Sequence, residues 1–401
     1  MDQVFPLPLE PLAYHVEMIH YLQSEEADLW KWFASGRLRA QQNDEVRLDL
    51  LKSTYRVEPD ANGMLYASAE DVARDLGLNV PITFYQAQTA VGLNASLAYM
   101  PGEAHVVFTG PVTTTLTGTE LRCVLGHELL HFGLLDRWSD YLIASQILSA
   151  MTNDAQAEPS HFASARLFQL YSEVYCDRGA HRVTGDLDAC ITSLVKLETG
   201  TTDVSADSYL RQTQEIFDKG HPRSEGVTHP ETFIRVKAMQ LWVEQDHVAA
   251  AEIARTIEGP LSLSELDLLA QQKVSGLTRR LIAALLRPAW LRTEATLAHA
   301  RLFFDDFQPA GAVDGDLASD LACDNENLRD YFCYVMLDFA VADRDLEEAP
   351  LAAAMLLSDA LGLGERFRQL AVKELKLRKK QMEAIEANAA TIVARAAEAT
   401  D

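Results

Sequence analysis

The stretch LGHELLHF, Leu125 to Phe132, decides how this chain reads. Residues four apart on a helix project from one face a turn apart, so His127 and His131 can aim their imidazole nitrogens at one ion. Glu128 stands beside the pair and off it, where a carboxylate takes a proton from water that a bound zinc ion has acidified to a pKa of about 7. The flanks favour a helix: Thr117 and Glu120 form a T-x-x-E capping box, and Leu121, Val124, Leu125 and Leu129 follow at helical spacing. Histidine is scarce, 11 in 401 residues, so a chance HExxH pattern on a surface helix is the weaker reading. The first expectation is a zinc hydrolase, with His127 and His131 as ligands and Glu128 as base.

A catalytic zinc takes three protein ligands and keeps one position open. The extended pattern HExxHxxGxxH is excluded, because the chain carries Leu134 and Arg137 where it needs glycine and histidine. The third ligand is expected at Glu173 in LYSEVYCDRGA, within a stretch from about His161 to Arg182 that reads as helix. Asp177 follows one turn later, placed to receive the second N–H of His127. In a chain with 59 acidic residues such a pair is by itself often a solvated face, and the upstream motif is what raises it to a ligand set.

These residues resemble the HtpX-like and CAAX-prenyl-protease family of gluzincin metallopeptidases, which combine HExxH with a downstream ExxxD motif. Asn94-Ala95 followed by HVVFTG (His105 to Gly110), and then THPETFIRV (Thr228 to Val236), resemble further family segments in the same order over roughly residues 40 to 245. The resemblance implies one zinc ion per chain on His127, His131 and Glu173, with Glu128 as general base and acid and Asp177 as the orienting carboxylate. It puts His229 or Arg235 near the developing oxyanion. Some members instead use the histidine of the HP segment as a reversible extra ligand, and His229-Pro230 also reads as a helix-entry turn. Cys176 departs from the family, which usually carries a small residue before the aspartate; a buried, inert thiol is the expectation.

In related peptidases the substrate lies extended along an edge strand. That implies main-chain binding by His105, Val106, Val107 and Phe108 together with Asn94 and Ala95, and an endopeptidase acting on unfolded or flexible protein segments. The competing expectation from another class is a zinc-containing peptide-binding or chaperone-like protein whose site is latent or plugged.

Apolar residues make up 48% and charged residues 23%, an ordinary globular balance for two or three domains. A net charge of −24 argues against nucleic acid or anionic membrane as partner. Cys123, Cys176, Cys190, Cys323 and Cys333 show no disulfide or CxxC pattern and read as reduced thiols. The first residues carry no leader pattern, and no apolar run reaches 18 residues. A cytoplasmic protein without membrane insertion is expected, unlike the best-known family members.

The expected fold class is α+β and mostly α-helical: a gluzincin core with a small sheet beside the active-site helix, then an all-α C-terminal domain. Residues 1–255 are the expected peptidase domain. Within it, 1–60 form a helical cover with Leu12, Val16, Ile19 and His20 on one face, and 64–250 the catalytic core with strands ITFYQA and HVVFT. Residues 256–320 read as a helical connector after the Gly-Pro punctuation of IEGPLSLSE. Residues 321–401 resemble the TerB-like helical domain of tellurite-resistance proteins, which joins two helices by an acidic turn. Asp343, Asp345 and Glu347 in that turn read as a solvated cap rather than a calcium site. The stretch from Glu365 to about Glu398 reads as one long exposed helix offering a partner or self-association surface.

Overall fold

Isoleucine, valine and the aromatics crowd two segments, Ile82–Ala87 and Glu103–Thr109, and both are strands in the computed structural model. It describes residues 9–35, 39–88, 91–244, 246–309, 316–322 and 325–399, and divides into two compact units, Met1–Gly259 and Pro260–Asp401. Among the described residues no helix is long and apolar enough to cross a membrane. The first unit holds a sheet of β1 (Thr54–Val57), β2 (Ile82–Ala87), β3 (Asn94–Met100) and β4 (Glu103–Thr109) in the order β1-β2-β4-β3. β2 and β4 run parallel, while β1 and β3 pair antiparallel on the outside. Pro101-Gly102 closes the β3–β4 hairpin, with Gly102 at φ +75° as the second turn position demands.

Helices surround the sheet: α1 (Ala13–Glu25), α2 (Ala27–Ala34) and α3 (Arg39–Ser53) before it, α4 (Gly63–Asp75) within it, then α5 (Val112–Thr115) and α6 (Gly118–Arg137). The remaining helices of this unit are α7 (Ser139–Asn153), α8 (Pro159–Thr184), α9 (Leu187–Thr199), α10 (Ala206–Asp218), α11 (Thr232–Glu244) and α12 (Asp246–Glu258). The capping box starts α6: the Glu120 N–H donates to Thr117 Oγ1 at 3.3 Å and the Thr117 N–H to Glu120 Oε2 at 2.8 Å. One face of α6 packs with α4 on the sheet, where Val72, Phe84, Phe108, Leu125 and Leu129 are buried together. The opposite face meets α8 over small residues: a Cβ at Gly126 would lie 3.2 Å from the backbone of Ala180, and one at Gly179 would run into Leu130.

Several expectations are corrected here. The strand containing His105, Val106, Val107 and Phe108 is not an edge: β4 is paired on both sides, so its main-chain groups are already engaged and cannot add a substrate strand. His105 is buried, 3.3 Å from the Tyr85 hydroxyl and 3.1 Å from the Glu103 carboxylate. The edge on this side is β3, which carries Asn94 and Ala95. β1 extends the sheet into the region expected to be helical cover, and α4 opens the region expected to be the catalytic core, ahead of its strands. In α1 the buried face is Tyr14, His15, Met18 and Leu22, with Val16 and His20 exposed, one position out of step with the expected face.

The second unit is helical among its described residues: α13 (Leu268–Leu285), α14 (Glu294–Phe303), α15 (Leu317–Leu321), α16 (Glu326–Val341), α17 (Ala349–Ala360), α18 (Gly364–Glu374) and α19 (Lys379–Glu398). One core reaches from Val274 through Phe332 and Phe367 to Ala389, so residues 256–320 supply part of this unit's interior instead of a separate connector. The expected long exposed helix is two helices, broken at Lys376 (φ +54°), and α19 buries Met382, Ile385 and Ala389. Asp343 caps a single 3-10 turn, Arg344–Leu346, by accepting from the Asp345 N–H at 3.0 Å. Cys323 and much of the acidic break between α14 and α16 (310–315, 323–324) lie outside the described residues.

Candidate active site

Two i, i+4 steps, one on each of two helices, build the site. On α6, His127 and His131 turn their Nε2 atoms toward each other, 3.1 Å apart. From α8, Glu173 brings Oε2 to 3.3 Å from His127 Nε2 and Oε1 to 3.4 Å from His131 Nε2. Asp177, one turn on, accepts from His127 Nδ1 at 3.0 Å, which leaves the Nε2 lone pair facing the cluster.

The donor set fits a zinc ion. Ligand atoms 2.0–2.1 Å from a tetrahedral centre stand about 3.3 Å apart; here the two Nε2 atoms are 3.1 Å apart, one Glu173 oxygen is 3.3 Å from His127 and the other 3.4 Å from His131, and one ligand atom from each residue lies within 4.8 Å of the others. Among the described residues this is the His/Cys/Asp/Glu group whose potential ligand atoms converge. Glu173 Oε2 is buried with no hydrogen-bond donor, a costly state for a carboxylate oxygen that a cation relieves. Gln169, one turn before Glu173, donates to its other oxygen at 3.0 Å.

Arg235 enters from α11 and grips Asp177 through Nε and Nη2, each at 2.7 Å. Its fork is engaged with Asp177, while Nη2 also stands 3.8 Å from Glu173 Oε2 and the side chain borders the cavity. His229 lies in the loop before α11 with a half-exposed side chain, its Nε2 3.5 Å from Glu173 Oε2 and its Nδ1 2.9 Å from the Thr228 hydroxyl. Arg166 of α8 clamps that loop by donating to the Gly226 and Ser224 carbonyls at 2.7 and 2.5 Å.

Burial sets the electrostatics. It disfavours charge on His127, but the Asp177 hydrogen bond and the negative charges of Asp177 and Glu173 outweigh it and raise the imidazole to about 10. Burial works to raise Glu173 and Asp177 as well; the two histidines hold Glu173 well below the carboxylate range, and Arg235 holds Asp177 below it. Glu128 has no such fork, and burial pushes its carboxyl up against the nearby positive charges. His229 is pushed down by burial and by Arg235 and the other two histidines. Cys176 is fully buried, its thiol driven well above its usual range by burial and the adjacent carboxylates.

A cavity of about 450 Å³ opens on these groups, bordered by Asn94, Ala95, Val124, His127, Glu128 and Leu194. Sequence reading missed Gln169, Arg166 and Thr228. The first two stand four and seven residues before Glu173 on one helix face, a spacing that marks them; Thr228 carries no such signal.

The site is thus a largely buried His-His-Glu group able to hold a metal ion, with the Glu128 carboxyl beside it on an open cavity. Residues 59–243 match the model of peptidase family M48, a little under half of the chain, and the match supports a metallopeptidase of that family. No curated protein and no solved structure matches the chain.

Proposed function

We propose that the protein is a zinc-dependent endopeptidase acting on unfolded or flexible protein segments in the cytoplasm. The observation that carries this is the convergence of His127, His131 and Glu173 around a carboxylate oxygen that lacks a hydrogen-bond donor. A zinc ion held by these three residues supplies Lewis-acid polarisation of the scissile carbonyl and acidifies attacking water. Glu128, with its raised proton affinity, takes the proton as water adds to the carbonyl and returns it to the leaving amine. Asp177 fixes the tautomer of His127, and Arg235 fixes Asp177.

The exposed edge of β3 is the place for an extended substrate, because Asn94 and Ala95 sit on that edge and border the cavity. Binding there reads the main chain, so sequence preference is modest.

A second reading keeps its ground at His229, whose Nε2 stands 3.5 Å from Glu173 Oε2. If Thr228 donates to His229 Nδ1, Nε2–H is a donor for the oxyanion; if Nδ1–H donates to Thr228, the Nε2 lone pair competes for the ion and the protein is a latent binder. The test is cleavage of unfolded casein and a quenched peptide library by zinc-loaded wild type and Glu128→Gln, with metal measured in both. Turnover in wild type alone, with equal zinc, is expected. Equal turnover in both proteins, or none in a fully loaded wild type, overturns the proposal.

A further inference from the structure

Two thiols that the catalytic proposal does not use meet in the wall of the cavity. Cys123 lies on α6 one turn before His127, and Cys190 near the start of α9. Sixty-seven residues apart in the chain, their sulfurs are 3.1 Å from each other, and each residue is 2% exposed. The Cys190 thiol donates to Cys123 Sγ, and the Thr184 hydroxyl oxygen lies 3.5 Å from Cys123 Sγ and 3.6 Å from Cys190 Sγ. Thr184 sends its own proton to the Ala180 carbonyl, so its oxygen faces the sulfurs as an acceptor. Both cysteines border the same cavity as His127 and Glu128, and α9 contributes Leu194 beside them.

A buried cysteine alone is inert. A buried pair differs, because each sulfur has a partner in place: closing from 3.1 Å to a disulfide length of about 2.05 Å takes a movement of about 1 Å. The hydrogen bond that Cys190 donates favours the thiolate on Cys123 against the effect of burial.

We propose that Cys123 and Cys190 are a redox modification site that hydroperoxides close into a disulfide, tying the helix of the metal ligands to α9 and reshaping the cavity wall so that peptide turnover falls. In the first step the Cys123 thiolate attacks a peroxide oxygen, the O–O bond breaks, and a sulfenic acid forms as hydroxide leaves and takes up a proton. In the second, the Cys190 sulfur attacks that sulfenic sulfur; S–S forms, S–O breaks, and the hydroxyl leaves as water with the Cys190 proton. Two thiols are oxidised, and one hydrogen peroxide is reduced to two waters. The effect on turnover rests on the peptidase reading; the crosslink does not.

The test treats full-length, zinc-loaded protein with one equivalent of hydrogen peroxide, alkylates it, and maps peptides without reduction. A Cys123–Cys190 linked peptide is expected, with both residues lost to alkylation, a higher melting temperature, and a fall in turnover of a quenched peptide. Dithiothreitol reverses all three. Cys123→Ser and, separately, Cys190→Ser give no linked peptide and no reversible fall. Both cysteines remaining open to alkylation after treatment overturns the site. A crosslink that leaves turnover unchanged overturns its coupling to the cavity. A linked peptide and raised melting temperature in a protein that cleaves nothing in either state uphold the site, and count against the peptidase reading.

Discussion

Each unit contains an arginine–aspartate fork of the same chemistry in a different setting. In the first unit Arg235 grips Asp177 with side chains 12% and 3% exposed; in the second Arg366 grips Asp330 with side chains 30% and 21% exposed. Water solvates either half of the second pair if the other is lost, whereas the first would leave a buried charge that water reaches far less. The two interiors differ in the same way. Glu120, His127, Glu128, Glu173, Asp177 and Lys196 are buried in the first unit, while Asp267 is the buried charged side chain among the described residues of the second, where it caps α13. Buried charge is tolerated where each ion has a partner, and Glu128 is the exception, which its proposed role as base would explain.

That contrast can be broken or sharpened by substitution. The largest effect is expected from Glu128→Gln: kcat falls by about 10²–10⁴-fold, the span of general acid–base catalysis, while zinc content holds and stability is unchanged or higher. Loss of the ion together with activity would place Glu128 among the ligands and dissolve the exception. Next, Arg235→Met should lower unfolding stability by about 3–5 kcal/mol by leaving buried Asp177 with the His127 hydrogen bond alone, and Arg366→Met by far less. Chemical denaturation of both variants decides it, and equal losses would show that burial is not what separates the forks.

A pH prediction follows from His15 of α1, which is fully buried against Phe168 and Ser172 and is pushed down to about 4 by burial despite its bond to the Phe168 carbonyl. The unfolded chain takes up this proton near 6.5, so the stability His15 contributes is complete above that value and is lost as pH falls toward 4. The loss is about 1.4 kcal/mol per unit, roughly 3 kcal/mol across the window. Unfolding of the first unit followed from pH 7 to 4 should show this slope, and His15→Gln should flatten it; an unaltered slope in the variant would discard the assignment. The smallest effect is expected at Thr228→Val. Losing a hydrogen bond of about 1 kcal/mol should lower kcat about fivefold if His229 serves the oxyanion, and a rise in turnover would favour the plugging role.

The site was legible from sequence because its pieces are local. His127 with His131, and Glu173 with Asp177, are single-turn repeats inside segments whose helical character the capping box and apolar spacing announce. The partners joining those segments are not local: nothing in the chain ties Cys123 to Cys190 or Arg166 to Gly226, and tertiary packing alone brings them together. β3 was missed because NASLAYM is poor in β-branched residues, and its neighbour HVVFT, rich in them, was taken for the edge when it is the buried strand. The break before α19 escaped because a lysine, not a glycine, occupies the left-handed position.

The glycines between α6 and α8 have a consequence for evolution. Neither Gly126 nor Gly179 touches an ion, yet a single methyl group at residue 126 presses on the Ala180 backbone, and one at residue 179 collides with Leu130. The spacing of the two helices that carry the ligands is thus set by hydrogen atoms, and a zinc ion holds its nitrogen and oxygen ligands within a few tenths of an ångström. Drift at the two chemically plainest positions of these helices would spread the cage while every ligand stays in the chain, so selection on the site reaches residues that never meet a metal.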